Sequence, residues 1–214
     1  DQCIDIAKDD ITVATNVIES RPILGPDKLY NELLEKTSPE YMWPADKFFL
    51  AKWNEQNERH KKHNNTEYNL EPNIKNAPGG LRDIQTISWV AKRFFDVRKL
   101  NELEGRGFFT DEEFAILRSG EEFIWKVRYG LHMIAQRPEE RLLFEYQREL
   151  AKLFGYQDTE QRLAVEQFMH WYYRIVLALG ELNDVLLQFL DEAILQKGKI
   201  KPITPINERF QLYD

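Results

Sequence analysis

The sequence predicts a mainly α-helical bundle that ends in one long helix. Three observations predict it. Apolar residues recur at helical spacing over most of the 214 residues. Start and stop signals bracket those runs, and alternation of the kind a strand needs is almost absent. The longest run lies between Glu160 and Gln196, where Phe168, Tyr172, Ile175, Leu179, Leu182, Leu186, Phe189 and Ala193 advance by steps of four and three. Such a stripe packs helix against helix at a shallow angle. At roughly 1.5 Å per residue the helix is on the order of 50 Å long. Its reading is a bundle core helix rather than a dimer zipper.

The other elements follow in chain order. Residues 1 to 19 read as helical with a break at Asp9-Asp10, although Ile11, Thr12 and Val13 are β-branched and weaken the pattern there. Arg21 to Leu24 is a short extended piece that Gly25-Pro26 ends. Asp27 to Lys36 is a helix, Thr37 to Pro44 a turn, and Ala45 to about His63 a strong helix stopped by Asn64-Asn65. Pro72 and Pro78 stiffen the next approach and deny it a helix. Gly79-Gly80 turns the backbone, and a helix opens with Leu81, Arg82 and Asp83 and runs to about Phe95. A short helical stretch at Lys99 to Glu104 ends at Gly105 and Gly107. Thr110, with Glu113 three residues on, forms a capping box for a helix striped by Phe114, Leu117, Ile124, Val127, Leu131 and Ile134 and stopped by Pro138. Phe144 to Phe154 is a further helix, closed by Gly155, and from Gly198 the pattern dissolves into a linker.

Composition sets the functional bounds. Hydrophobic residues are 43% and aromatics 13%, enough for a sizeable core. The net charge of -7 argues against general nucleic-acid binding and leaves room for a local basic patch that holds a nucleotide. No apolar run reaches the length of a membrane span. Cys3 is the one cysteine, which fits a reducing compartment, and the expected location is cytoplasmic. The first residue is Asp1 and the chain opens inside a helical pattern, so the expectation is a piece of a longer protein.

Two groups of residues are candidates for chemistry. The first is the Gly79-Gly80 corner followed by Arg82 and Asp83. It reads either as a plain loop-to-helix junction with an acid favouring the helix dipole, or as a place to bind an anion or a partner. The second is cationic. Arg128 sits beside the apolar stripe of its helix with His132 one turn on, and Arg137 and Arg141 flank Pro138. A cation there needs a partner. One reading is an internal ion pair with Glu121 or Asp83; the other is a phosphate-binding lining. His60 and His63 stand one turn apart but lack further ligands in the pattern, and they read as part of a solvated charged face. No Walker loop, His-Glu-x-x-His or nucleophile elbow is present. No catalytic residue and no metal site is expected within the chain.

Several strings carry a resemblance. Tyr68-Asn-Leu-Glu-Pro-Asn-Ile-Lys and Pro78-Gly-Gly-Leu-Arg-Asp-Ile-Gln-Thr-Ile-Ser-Trp-Val-Ala resemble the helical region of the bacterial PII uridylyltransferase/uridylyl-removing enzymes. Asp10-Ile-Thr-Val-Ala-Thr-Asn-Val-Ile-Glu-Ser-Arg is similar to the close of that family's nucleotidyltransferase domain. Trp43-Pro-Ala-Asp-Lys-Phe, Arg128-Tyr-Gly-Leu-His, Arg141-Leu-Leu-Phe-Glu-Tyr-Gln, Glu181-Leu-Asn and Phe189-Leu-Asp-Glu-Ala-Ile-Leu extend the likeness almost to the end.

The resemblance implies an enzyme that transfers UMP from UTP to a tyrosine of the PII signal protein with Mg2+, and removes it again when glutamine is abundant. It implies three parts: residues 1–25 as the end of an α/β nucleotidyltransferase domain, 26–197 as the helical domain, and 198–214 as a linker toward a phosphohydrolase domain. Metal carboxylates, hydrolase motif and glutamine-sensing domains are then expected outside the chain, and the piece alone is expected to turn over neither UTP nor uridylylated PII. By analogy with helical domains that wall a nucleotide cleft, Gly79 and Gly80 would meet the nucleotide or the transferase domain. Lys75 and Arg82 would face a triphosphate, and Asp83 would hold Arg82 or a neighbouring cation. Arg128, His132, Arg137 and Arg141 form the second candidate cluster. Cut from a parent sheet, Ile11, Val13, Val17, Ile18 and Ile23 would leave apolar area exposed near residues 1 to 25. Two other readings stay open: a stand-alone helical interaction module, and a related nucleotidyltransferase-like signalling protein with a different target.

Overall fold

A computed structural model describes residues 2–103 and 107–195, together with the backbone of 203–205 and 211–213. The architecture is a helical bundle. Its α-helices are α1 (Gln2–Asp9), α2 (Ile11–Ile18), α3 (Asp27–Lys36), α4 (Ala45–Lys62), α5 (Leu81–Phe95), α6 (Asp111–Ala135), α7 (Phe144–Leu153) and α8 (Ala164–Leu195), with a 3-10 turn at Leu100–Leu103.

The boundaries have local causes. The break between α1 and α2 falls at Asp10, whose carboxylate accepts the backbone N–H groups of Thr12 and Val13. Thr110 and Glu113 form the reciprocal capping box that opens α6. Gln136 ends α6 in the left-handed region, two residues before Pro138. α8 starts at Ala164, later than its pattern predicts, because Thr159, Arg162 and Asp158 close a turn ahead of it: the Thr159 N–H bonds the Arg162 carbonyl and the Ala164 N–H bonds Asp158. Gln196, Glu104, Gly105 and Gly198, at which predicted elements end or the pattern dissolves, lie outside the described residues. The segment read as a linker contains a short hairpin, β1 (Ile203–Pro205) antiparallel to β2 (Gln211–Tyr213), with Ile203 opposite Tyr213. Ile203 and Thr204 are β-branched, and Pro205 stands at the strand end, where a missing donor costs least.

α5 is the central helix. It packs against α4, α6 and α8 and is buried almost all round, Asp83 and Arg93 included. One core of Phe48, Phe49, Ile74, Ile84, Ile87, Leu131, Phe168, Tyr172 and Leu190 joins these helices. On α8 the buried positions drift off the predicted stripe. Val176 and Leu190 are buried where Ile175 and Phe189 were expected, and Phe189 is 41% exposed. A heptad stripe repeats every 3.5 residues and a straight α-helix every 3.6, so the buried face rotates along the helix.

The opening helices form a small core of their own from Ala7, Ala14 and Met42. The Trp43 indole N–H ties them down by donating to the Ala7 carbonyl at 2.7 Å, and Lys92 of α5 reaches Glu19 at 2.8 Å. Ile11, Val13, Val17 and Ile18 are partly buried, whereas Ile23 and Leu24 are 89% and 98% exposed. The expected apolar exposure is therefore concentrated after α2, because α2 finds partial cover within the chain.

Candidate functional site

A cleft of about 420 Å³ opens between α2, α5 and α6, with the loop before α5 at one side. Lys75, Arg82, Lys92 and Arg128 bring positive charge to it, Glu19 and Glu121 negative charge, and Trp89, Trp125 and Gln85 also line it.

The loop that carries Lys75 is held rigidly. The Ile74 N–H bonds the Glu140 carbonyl and the Leu142 N–H bonds the Pro72 carbonyl, making a short antiparallel bridge. Gln147 adds a bond to the Leu70 carbonyl, and Arg141 pairs with Glu71 at 3.3 Å. The loop then folds under the start of α5. The N–H groups of Gly80, Leu81 and Arg82 bond the carbonyls of Ala77, Ile74 and Lys75. The helix N-terminus thus satisfies its donors internally and leaves them unavailable to an anion.

The glycine corner has a packing role. Gly79 has φ of +69°, and a Cβ there would lie 2.0 Å from the Val176 carbonyl oxygen of α8. Both glycines are buried against the bundle and do not line the cleft. Asp83 is buried behind them. Its Oδ2 accepts the Gly79 N–H at 2.8 Å, and its Oδ1 accepts Arg59 of α4 at 2.7 Å. His60 Nε2 lies 2.9 and 3.0 Å from the two oxygens. The cation that Asp83 holds is therefore Arg59 and not Arg82.

Arg128 takes neither Glu121 nor Asp83 as its partner. Glu140 receives its Nε at 3.0 Å and its Nη2 at 2.6 Å, which raises the Arg128 pKa mainly through the hydrogen bond. The chain reverses after Gln136 and brings Glu140 back alongside α6, so proximity along the helix gave the wrong partner. His132 lies 3.8 Å from the same carboxylate, beyond hydrogen-bond reach. Arg137 pairs with Glu139 at 2.7 Å, and both Arg137 and Arg141 are exposed away from the cleft.

Arg82 is different. Among the described residues no carboxylate lies within ion-pair distance of it. Its guanidinium lies over the Trp89 ring, 5.2 Å from the centroid. Burial pushes its pKa down, partly offset by the field of Glu55 and reinforced by Arg59 and Arg128. Lys52, 2% exposed, lies over the same ring at 4.6 Å and pairs with Glu55 at 2.7 Å. Arg128 lies over Trp125 at 5.2 Å. Gln85 Oε1 is buried without a hydrogen-bond partner.

The cleft thus gathers Lys75, Arg82 and Arg128 from the predicted residues. It leaves Gly79, Gly80 and Asp83 behind it and His132, Arg137 and Arg141 outside it. Sequence reasoning passed over Arg59, Trp89, Gln85, Trp125 and Glu140. Trp89 carried a usable signal, since it stands off the apolar stripe of α5. Among the described residues no group of three or more His, Cys, Asp or Glu side chains is disposed to hold a metal, and no helix is long and apolar enough to cross a membrane.

The family model described as GlnD PII-uridylyltransferase matches residues 47–187. The whole chain is 54% identical to a bifunctional uridylyltransferase/uridylyl-removing enzyme of Stutzerimonas stutzeri. It is 52% identical to the enzyme of that name from Ectopseudomonas mendocina and 53% to that from Pseudomonas syringae pv. tomato. The chain covers 24% of the length of each of these relatives. No solved structure shows significant similarity to it. With two thirds of its length matched by the family model and its full length by these relatives, the chain belongs to the GlnD PII-uridylyltransferase family.

Proposed function

We propose that this chain is the helical wall of a nucleotide cleft in a bifunctional enzyme that transfers UMP from UTP to the PII signal protein and removes it again, in response to glutamine. On this reading residues 1–25 close the nucleotidyltransferase domain, residues 26–197 are the helical domain, and residues 198–214 lead toward a phosphohydrolase domain. The enzyme works in the cytoplasm.

One observation carries the proposal: Lys75, Arg82 and Arg128 converge in one cleft, and no carboxylate among the described residues lies within ion-pair distance of Arg82. In the transfer, a tyrosine oxygen attacks the α-phosphorus and pyrophosphate leaves. Charge grows on the leaving oxygens, and fixed cations in a partly dry cleft stabilise it. Arg82 and Lys75 suit that task. Arg128 is largely neutralised by Glu140 and acts to orient. The orphaned Gln85 oxygen fits a ligand that brings a hydrogen-bond donor as well as phosphates, as a ribonucleotide does. Among the described residues no donor set fits a metal site, and Mg2+, which would supply charge neutralisation to the triphosphate when bound, is assigned on this reading to carboxylates elsewhere in the enzyme.

The test is steady-state kinetics of the full-length enzyme. Arg82→Ala is expected to raise the KM for UTP about tenfold, equivalent to about 1.4 kcal/mol, while Arg137→Ala leaves it within about twofold. Equal effects of the two substitutions would overturn the reading. The chain alone is expected to release no pyrophosphate from UTP, Mg2+ and PII; release would show that the transfer machinery lies within it.

A further inference from the structure

We infer that Trp89 is a positioning residue: it holds the Arg82 guanidinium in the cleft by its ring face rather than by a directly paired carboxylate, and so keeps the positive charge open to an anionic ligand. The inference rests on the cleft reading above and extends it to how the cation is kept available.

The contrast between the two arginines of the cleft carries it. Arg128 is gripped by Glu140 through two of its nitrogens, and that carboxylate cancels most of its charge. Arg82 has the same kind of aromatic neighbour, at the same 5.2 Å, but no carboxylate among the described residues. A half-buried guanidinium must be held by something. A carboxylate would hold it and neutralise it; an indole face attracts it through the ring quadrupole and neutralises nothing. Trp89 is itself fixed. It is 8% exposed, and Lys52 lies over its ring with Glu55 as counterion. Lys52 therefore takes its own carboxylate, and Arg82 keeps its net charge. The side-chain type matters in this arrangement, because a guanidinium spreads its charge over a planar, weakly hydrated group that suits an aromatic face, whereas an ammonium is a compact, strongly hydrated charge.

The experiment uses full-length enzyme and the KM and kcat for UTP, with thermal unfolding as a fold control. Trp89→Leu is expected to raise the KM for UTP about fivefold and kcat to change less than twofold. Trp89→Phe, which keeps an aromatic face, is expected to restore the KM to within about twofold of wild type. The Trp89→Leu/Arg82→Ala double variant is expected to be no worse than Arg82→Ala alone, because both remove one interaction. Arg82→Lys keeps the charge without the planar face and does not depend on Trp89→Leu folding; a KM raised about fivefold is expected. Additive effects in the double variant, or a wild-type KM in Arg82→Lys, would overturn the inference while Arg82→Ala still impaired UTP binding. An unaltered KM in Arg82→Ala would instead overturn the cleft reading, and this inference with it.

Discussion

Asp83 and Gly79 show how single residues set the cleft without entering it. Asp83 links the glycine corner to Arg59 and His60 of α4 from a position 1% exposed. Asp83→Ala leaves Arg59 inside the protein without its carboxylate, and a loss of about 3–5 kcal/mol is expected in urea unfolding. Asp83→Asn, which keeps an acceptor for Gly79 N–H, is expected to lose less. Gly79→Ala meets two obstacles at once, a left-handed φ and the Val176 carbonyl oxygen 2.0 Å away. A loss of at least about 3 kcal/mol is expected, read as a fall in Tm. The importance of Asp83 was legible in the sequence, but its partners were not. Arg59 lies 24 residues earlier, and only the packing of α4 on α5 brings the two together. Arg93 makes the same point. It was an ordinary member of the last turn of α5 in sequence, yet it is buried, donates to the carbonyls of Thr37, Ser38 and Trp43, and has its pKa lowered to about 10 by burial.

At the scale of elements, what is local was legible. The Asp10 cap, the Thr110–Glu113 box and the opening of α5 after Gly80 all depend on residues within a few positions of one another. Thr110→Ala is expected to cost about 1 kcal/mol, measured as a drop in Tm, by freeing the Glu113 N–H. The rotation of the buried face of α8 was not legible, because it depends on what the helix packs against. The end of α4 carries a pH response. Burial, with help from Arg59 and His60, pushes the His63 pKa below its ordinary value of 6.5. The folded state then binds fewer protons than the unfolded chain, so stability rises with pH through this range and falls as pH drops below about 6.5. Urea unfolding from pH 5 to 8 should show that slope, and His63→Gln should flatten it.

The whole molecule places one basic cleft against the seam between its opening helices and the bundle. α2 supplies Thr15 and Asn16 to one wall and its C-cap supplies Glu19, α5 supplies Arg82, Gln85 and Trp89, and α6 supplies Trp125 and Arg128. The loop after α2 leaves Ile23 and Leu24 bare. Arg82 was reached from the glycine corner that opens its helix, Arg128 from its place beside an apolar stripe, and Lys75 through the family resemblance. Sequence reasoning could not separate them from His132, Arg137 and Arg141, since all six are polar residues near helix faces or turns and only the tertiary arrangement sorts them. On the proposed reading this cleft holds the UTP triphosphate in the full-length enzyme. Photolabelling that enzyme with an azido-substituted UTP in the presence of Mg2+, followed by peptide mapping, tests it most directly. Label is expected on peptides spanning residues 82–92 or 125–128, suppressed by excess UTP and reduced by Arg82→Ala. UTP-protected label confined to peptides that contain none of the cleft residues would contradict it.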